Sequence, residues 1–254
     1  MMDLNSLPSF LLAALVTGIA FLYASIGFGG ATGYLAVMSL FGIDPNIMAS
    51  SALGLNVIVA SISFSSYARA GHFRKDLSLP FLLTSVPAAF IGGYFKIHDD
   101  IYFLLFYAVL TYVTLNMLFA RPKAEENACL RAIPHWQALA SGAVIGLLSG
   151  VVGIGGGIFL SPLIILAGWG TPKQAAATSA GFIVLNSLSG LAGRLTGGNL
   201  MFGWFGAALI PLGVLGGLAG SYLGARYFSG VWLRRILGIV LLIAVGNYWL
   251  GRLK

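Results

Sequence analysis

Charge is the scarcest property of this chain. Asp, Glu, Lys and Arg make up 8% of its 254 residues, whereas a soluble domain carries about 25%. So few charges cannot cover a water-exposed surface. Cysteine is nearly absent: Cys129 stands alone, which excludes an internal disulfide and a thiolate metal cluster. Long alternating strands are missing, which excludes a membrane barrel. The opening "MMDLNSLPSF" has no basic stretch before its apolar run, so the run reads as a retained span rather than a cleaved signal. None of the seven acids, Asp3, Asp44, Asp76, Asp99, Asp100, Glu125 and Glu126, falls inside an apolar run. His72, His98 and His135 also sit at segment ends. That leaves no intramembrane proton relay and no carboxylate cage for a metal. No Ser-His-Asp or Cys-His arrangement emerges, so protease chemistry has no support. The phrase "GIGGGI" lacks the third glycine of a dinucleotide fingerprint, and no Gly-Lys-Ser/Thr follows it.

What the chain has in abundance is apolar length. Hydrophobic residues make up 58% of it. Runs near the bilayer-crossing length of about 20 residues recur from end to end. Apolar helices are expected at 8–26, 30–42, 46–68, 77–96, 101–120, 137–152, 156–168, 174–194, 201–225 and 230–250. The segments 30–42 and 156–168 are too short to cross alone. The fold expected is an all-α polytopic membrane protein with about 8–10 transmembrane or half-membrane helices. The net charge of +7 then belongs to loops facing the cytoplasm, not to nucleic-acid binding. Tryptophans 136, 169, 204, 232 and 249 fall near segment ends, as in an interfacial belt.

The chain is written twice. Gly27, Gly29 and Gly30 match Gly153, Gly155 and Gly156 at an offset of 126 (153 − 27). Pro45, Ala49, Ser51 and Gly54 match Pro172, Ala176, Thr178 and Gly181 at an offset of 127 (172 − 45). The expected division is a first repeat at 1–120, a cytoplasmic linker at 121–136 and a second repeat at 137–254. Internal duplication is usual in secondary transporters. If all five elements of each half cross, the two homologous halves form an inverted repeat, which is the arrangement expected; if the short glycine-led elements re-enter instead, the halves are parallel and both termini lie inside. In the inverted arrangement the basic loop "RAGHFRKD" and Lys173 share the cytoplasmic side, and Arg194 lies on the other.

Glycine clusters inside apolar runs are costly unless they serve something, because unpaired N–H groups in hydrocarbon cost several kcal/mol. The clusters read as helix breaks. Each break would begin a new helix whose free N–H groups and dipole favour an anion. The pairs Gly213/Gly217, Gly216/Gly220 and Gly220/Gly224 instead fall on one helical face and read as close packing. The expected anion-binding set is Gly29, Gly30, Ala31, Ser50, Ser51, Asn56, Gly155, Gly156, Gly157, Thr178, Ser179, Asn186 and Arg194. Hydroxyls and amides donate to an oxyanion without burying a fixed charge, and arginine is a bidentate oxyanion ligand. The helices that begin at Pro45 and Pro172 are expected to point inward as well.

The stretch "GVVGIGGGIFLSPLIILAGWGTPKQAAATSAGFIVLNSLSG" resembles the glycine motif, following proline and Ala-rich helix entry of the TauE/SafE family. "SIGFGGATGYLAVMSLFGIDPNIMASSALGLN" resembles a first copy, with Ala36 where the second has Pro162. The resemblance covers nearly the whole chain. It implies transport of small sulfur-containing or organic anions, often export, in a bacterial cytoplasmic membrane. No cofactor, metal or nucleic acid is expected. The expected partners are the bilayer, a small anion and a possible second copy of the chain. A channel-like conduit and a non-transporting scaffold remain open at this point.

Overall fold

The computed structural model describes residues 9–40, 42–119, 131–202 and 204–227, with scattered positions between 235 and 250. Nine helices are described in full: α1 (Ser9–Ala24), α2 (Ala31–Leu40), α3 (Pro45–Arg69), α4 (Lys75–Tyr94), α5 (Asp99–Phe119), α6 (His135–Val152), α7 (Gly157–Ala167), α8 (Pro172–Thr196) and α9 (Trp204–Arg226). The expected boundaries agree to within a few residues. Cys129, most of the linker and most of the tenth apolar run lie outside the described residues.

Local chemistry sets the ends. Asp44 caps α3, accepting from the Asn46 N–H at 2.8 Å, and Pro45 opens the helix. Thr171 and Gln174 form a capping box at the start of α8. Gly153 ends α6 in the left-handed region at φ 87°. Among the described residues, α3, α4, α6 and α8 are long and apolar enough to cross a membrane. Large apolar side chains such as Leu83, Leu147 and Leu166 point outward, as a lipid-facing surface requires.

The halves exchange helices. From the first half, α4 packs on α6 and α8. From the second, α9 packs on α1 and α3. Small residues allow this. Gly142, Gly146 and Gly150 of α6 lie directly against the carbonyls of Phe81, Ser85 and Ala89 of α4. Gly216, Gly220 and Gly224 of α9 lie against the carbonyls of Thr17 and Phe21 of α1 and of Ser25 just beyond it. No Cβ fits at these positions, so the backbones approach as closely as lipid-embedded helices allow. Gly213 and Gly217 meet Val59. The packing role expected of these α9 glycines is the one they play.

These contacts also give directions. Along α4 and α6 the contacting numbers rise together, as they do along α1 and α9, so each pair is parallel. On α3 and α8 they run oppositely: Gly181 meets Phe64 and Gly190 meets Leu53. The repeat-equivalent helices α3 and α8 are therefore antiparallel, a direction compatible with an inverted repeat. One end of the bundle carries Arg69, Arg74 and Lys75, with Lys173 beside His72. Trp169 departs from expectation. It is buried against Phe81 at a ring separation of 5.9 Å rather than placed in an interfacial belt.

Candidate functional site

Both glycine clusters interrupt the helical path. After α1, residues 25–30 leave helical geometry, with Gly27 and Gly30 at φ 82° and 94°. After α6, residues 153–156 do the same, with Gly153, Gly155 and Gly156 at φ 87°, 74° and 77°. L-residues with a side chain rarely adopt that region, which explains the composition.

The breaks cross to the opposite half. Gly27 packs on Ala176 of α8, and Gly153 packs on Ala49 of α3. Both glycines are repeat-equivalent, and so are both alanines. From there each chain runs inward and starts a short helix. With 10 and 11 residues, α2 and α7 rise about 15 Å at 1.5 Å per residue, half a bilayer core.

The two short helices begin at the same place. Gly29 lies directly against Asn56 Oδ1. A Cβ on Gly155 would lie 2.6 Å from Asn56 Nδ2 and 3.1 Å from Ser187 Oγ. Asn56 is the twelfth of the 25 residues of α3, so this point is halfway along that helix. Its carboxamide sits between the two breaks.

The start of α7 has no side-chain cap. Gly156 caps α7 with no side chain to offer, and the first bonds to its carbonyl come from Phe159 at 3.1 Å and Leu160 at 3.4 Å. The N–H groups of Gly157 and Ile158 precede those bonds. In α2 the first such bond is Tyr34 N–H to Gly30 O at 3.1 Å, which leaves Ala31, Thr32 and Gly33 ahead of it. Each helix start carries roughly half a positive charge. Around the breaks, Asn56, Ser149, Ser179 and Ser187 are fully buried. Their side-chain polar atoms have no hydrogen-bond partner. Buried polar groups are nearly always paired, so orphan polar groups gathered at the start of α7 are an unusual concentration of binding capacity.

Of the expected set, the structure brings Gly29, Gly30, Ala31, Asn56, Gly155, Gly156, Gly157 and Ser179 around this point. Ser51 and Asn186 are buried without side-chain partners on α3 and α8. Three others are engaged elsewhere. Ser50 Oγ accepts from the Met201 N–H at 3.2 Å. Thr178 Oγ1 accepts from Ser78 Oγ at 3.2 Å. Arg194 donates to Val151 O at 2.8 Å and Gly150 O at 3.3 Å, covering the last turn of α6. The starts of α3 and α8 do not join the centre, because Asp44 and Thr171 already cap them and they lie at the helix ends. Ser149, Ser187 and Tyr34 were not in the expected set. Ser149 and Ser187 are single hydroxyls in apolar helices, and only the folding of α7 across them gives them a common neighbour.

Among the described residues no group of three His, Cys, Asp or Glu is placed to hold a metal. The sulfite exporter TauE/SafE profile matches residues 10–248. A probable membrane transporter protein, y4hK, of Sinorhizobium fredii is 35% identical over 230 residues, covering 89% of this chain and 92% of that protein. A second, YunE of Bacillus subtilis, is 26% identical over 220 residues, covering 79% of this chain and 80% of its own length. No solved structure matches the chain. The chain belongs to the sulfite exporter TauE/SafE family of membrane transporters.

Proposed function

We propose that this protein is a secondary transporter of small sulfur-containing or organic anions, such as sulfite or a sulfonate, and that it works as an exporter. The anion rests where α2 and α7 begin, against backbone N–H groups and the Asn56 amide. One observation carries the reading: two half-helix starts, that of α7 without a side-chain cap, meet at a buried carboxamide that has no partner of its own. In low dielectric such donors hold an anion more strongly than at a surface. Neutral donors also release it more easily than a fixed cation would, which suits a carrier.

The basic end with Arg69, Arg74, Lys75 and Lys173 faces the cytoplasm under the positive-inside rule. The membrane is then the bacterial cytoplasmic membrane. The halves alternate about the central site as inverted repeats do.

The test is flux in liposomes reconstituted with the full chain, using sulfite, methanesulfonate and thiosulfate. Saturable exchange is expected. Non-saturable flux would support a conduit instead, and neither flux nor binding of any of these anions would overturn the reading in favour of a scaffold.

A further inference from the structure

The two breaks are equivalent in sequence but not in surroundings. At the second, Ser149, Ser179 and Ser187 present buried hydroxyls with no partner. Ser187 Oγ is 3.1 Å from a Cβ built on Gly155, and Ser149 Cβ is 3.4 Å from one built on Gly156. Ser179 contributes its carbonyl 2.8 Å from the Cβ position of Gly157. The equivalents of these three serines in the first half are Tyr23, Ala52 and Ala60. The first break therefore has no small hydroxyl at any of those positions.

It is also filled. Tyr23 Oη accepts from Thr32 Oγ1 at 2.6 Å, which closes a pair over the start of α2. The Tyr34 ring lies against Gly30, its Cζ 2.8 Å from where a Cβ would stand. The residue opposite, Asn56, is likewise unmatched: its equivalent in α8 is Ile183. Asn56 turns its Nδ2, the donor, toward Gly155, and its Oδ1 toward Gly29. The α7 side thus holds the Asn56 donor and small serine hydroxyls, whereas the α2 side holds the Asn56 acceptor, the paired Thr32 and Tyr23 hydroxyls and the lone hydroxyl of Tyr34 on a bulky ring.

We propose that the protein holds one anion, seated on the start of α7, with Ser149, Ser187 and Asn56 Nδ2 as its side-chain ligands, while the start of α2 is a closed, structural counterpart. This rests on the anion-transport reading and narrows it to one half. Donors arriving from α3, α6 and α8 suit an oxyanion with three outward oxygens, such as sulfite or a sulfonate, better than a planar carboxylate.

The experiment measures KM for sulfite and methanesulfonate in liposomes holding the full chain. Ser187→Ala and Ser149→Ala each raise KM about tenfold, the scale of a lost hydrogen bond to a charged partner. Thr32→Val, which removes only the hydroxyl paired with Tyr23 and keeps the backbone N–H, stays within about twofold. Ser187→Cys is nearly isosteric and a weak donor. It keeps the protein folded and still raises KM, which separates ligation from packing if the alanine variant is lost. Equal effects at both breaks, or unchanged KM in all three serine variants, would overturn the single-seat proposal while leaving anion transport intact. A wild-type protein that moves and binds no anion would overturn both.

Discussion

Tyr67 and Arg194 stand at equivalent places, 127 residues apart (194 − 67), and perform the same structural act with different chemistry. Tyr67 Oη donates to Ser25 O at 2.8 Å, just past the end of α1. Arg194 Nη2 donates to Val151 O at 2.8 Å, in the last turn of α6. Each satisfies carbonyls left open where a helix stops before a glycine break. An arginine here adds a charge to the favourable negative end of α6; the two carbonyls engage Nη2, while Nε is buried without a partner.

Arg194→Ala uncovers those carbonyls and lowers stability by about 1–3 kcal/mol, the cost of an unsatisfied buried group. Arg194→Tyr, which copies the first repeat, recovers most of the loss. Thermal unfolding in detergent is the measurement. An alanine variant as stable as the wild type would remove the capping role.

Asn56 is a buried amide with no partner, a liability that folding alone would not retain. Asn56→Leu, an apolar group of similar size, keeps or raises the melting temperature. Sulfite flux nevertheless falls more than tenfold, an effect of about 1.4 kcal/mol or more. A leucine variant with full flux would dissociate Asn56 from transport.

Gly156→Ala places a methyl on a residue at φ 77°, against Ile145 Cγ2 at 2.8 Å and Phe182 Cε1 at 2.9 Å. The left-handed conformation alone costs such a residue about 1–2 kcal/mol. The variant inserts, unfolds at lower temperature and transports weakly. Gly213→Ala is the control, since its Cβ would meet the Val59 and Leu55 methyls at 3.3 and 3.4 Å in the helical interior. Its flux stays near wild type.

Gly220→Ala and Gly146→Ala act on assembly instead. Their Cβ atoms would press on the carbonyls of Phe21 and Ser85, which belong to backbone and cannot move aside. The yield of monodisperse protein by size exclusion drops sharply, while the surviving fraction keeps its KM. A raised KM at normal yield would place these glycines in the transport path.

Energy coupling follows from where the acids lie. Asp76, Asp99 and Asp100 sit in first turns and Asp44 is a cap. For the anion export proposed above, an inside-negative potential would supply about 2.3 kcal/mol per charge per 100 mV. Imposed potassium diffusion potentials with valinomycin should change efflux steeply, and replacing sodium with choline should not. Strict sodium dependence would contradict this coupling.

Much of the architecture is local and was therefore legible. Apolar runs, Pro45 and Pro172 at helix starts, and the Thr171–Gln174 box are near-neighbour features, so helix ends follow from residues a few positions away. The paired glycine clusters announce two breaks, because hydrocarbon tolerates non-helical backbone only where protein surrounds it. The repeat itself needs no coordinates. What those features cannot specify is which surfaces meet. That α4 leaves its own half for α6, that Gly29 and Gly155 reach one carboxamide, and that Thr178 turns to Ser78 while Ser187 turns to Gly155 all depend on approach between residues 27 to 100 positions apart (56 − 29 and 178 − 78). In lipid the apolar side chains do not drive that choice, since lipid solvates them equally well. Close packing of small residues decides it, and that is a property of two fitted surfaces rather than of either segment alone.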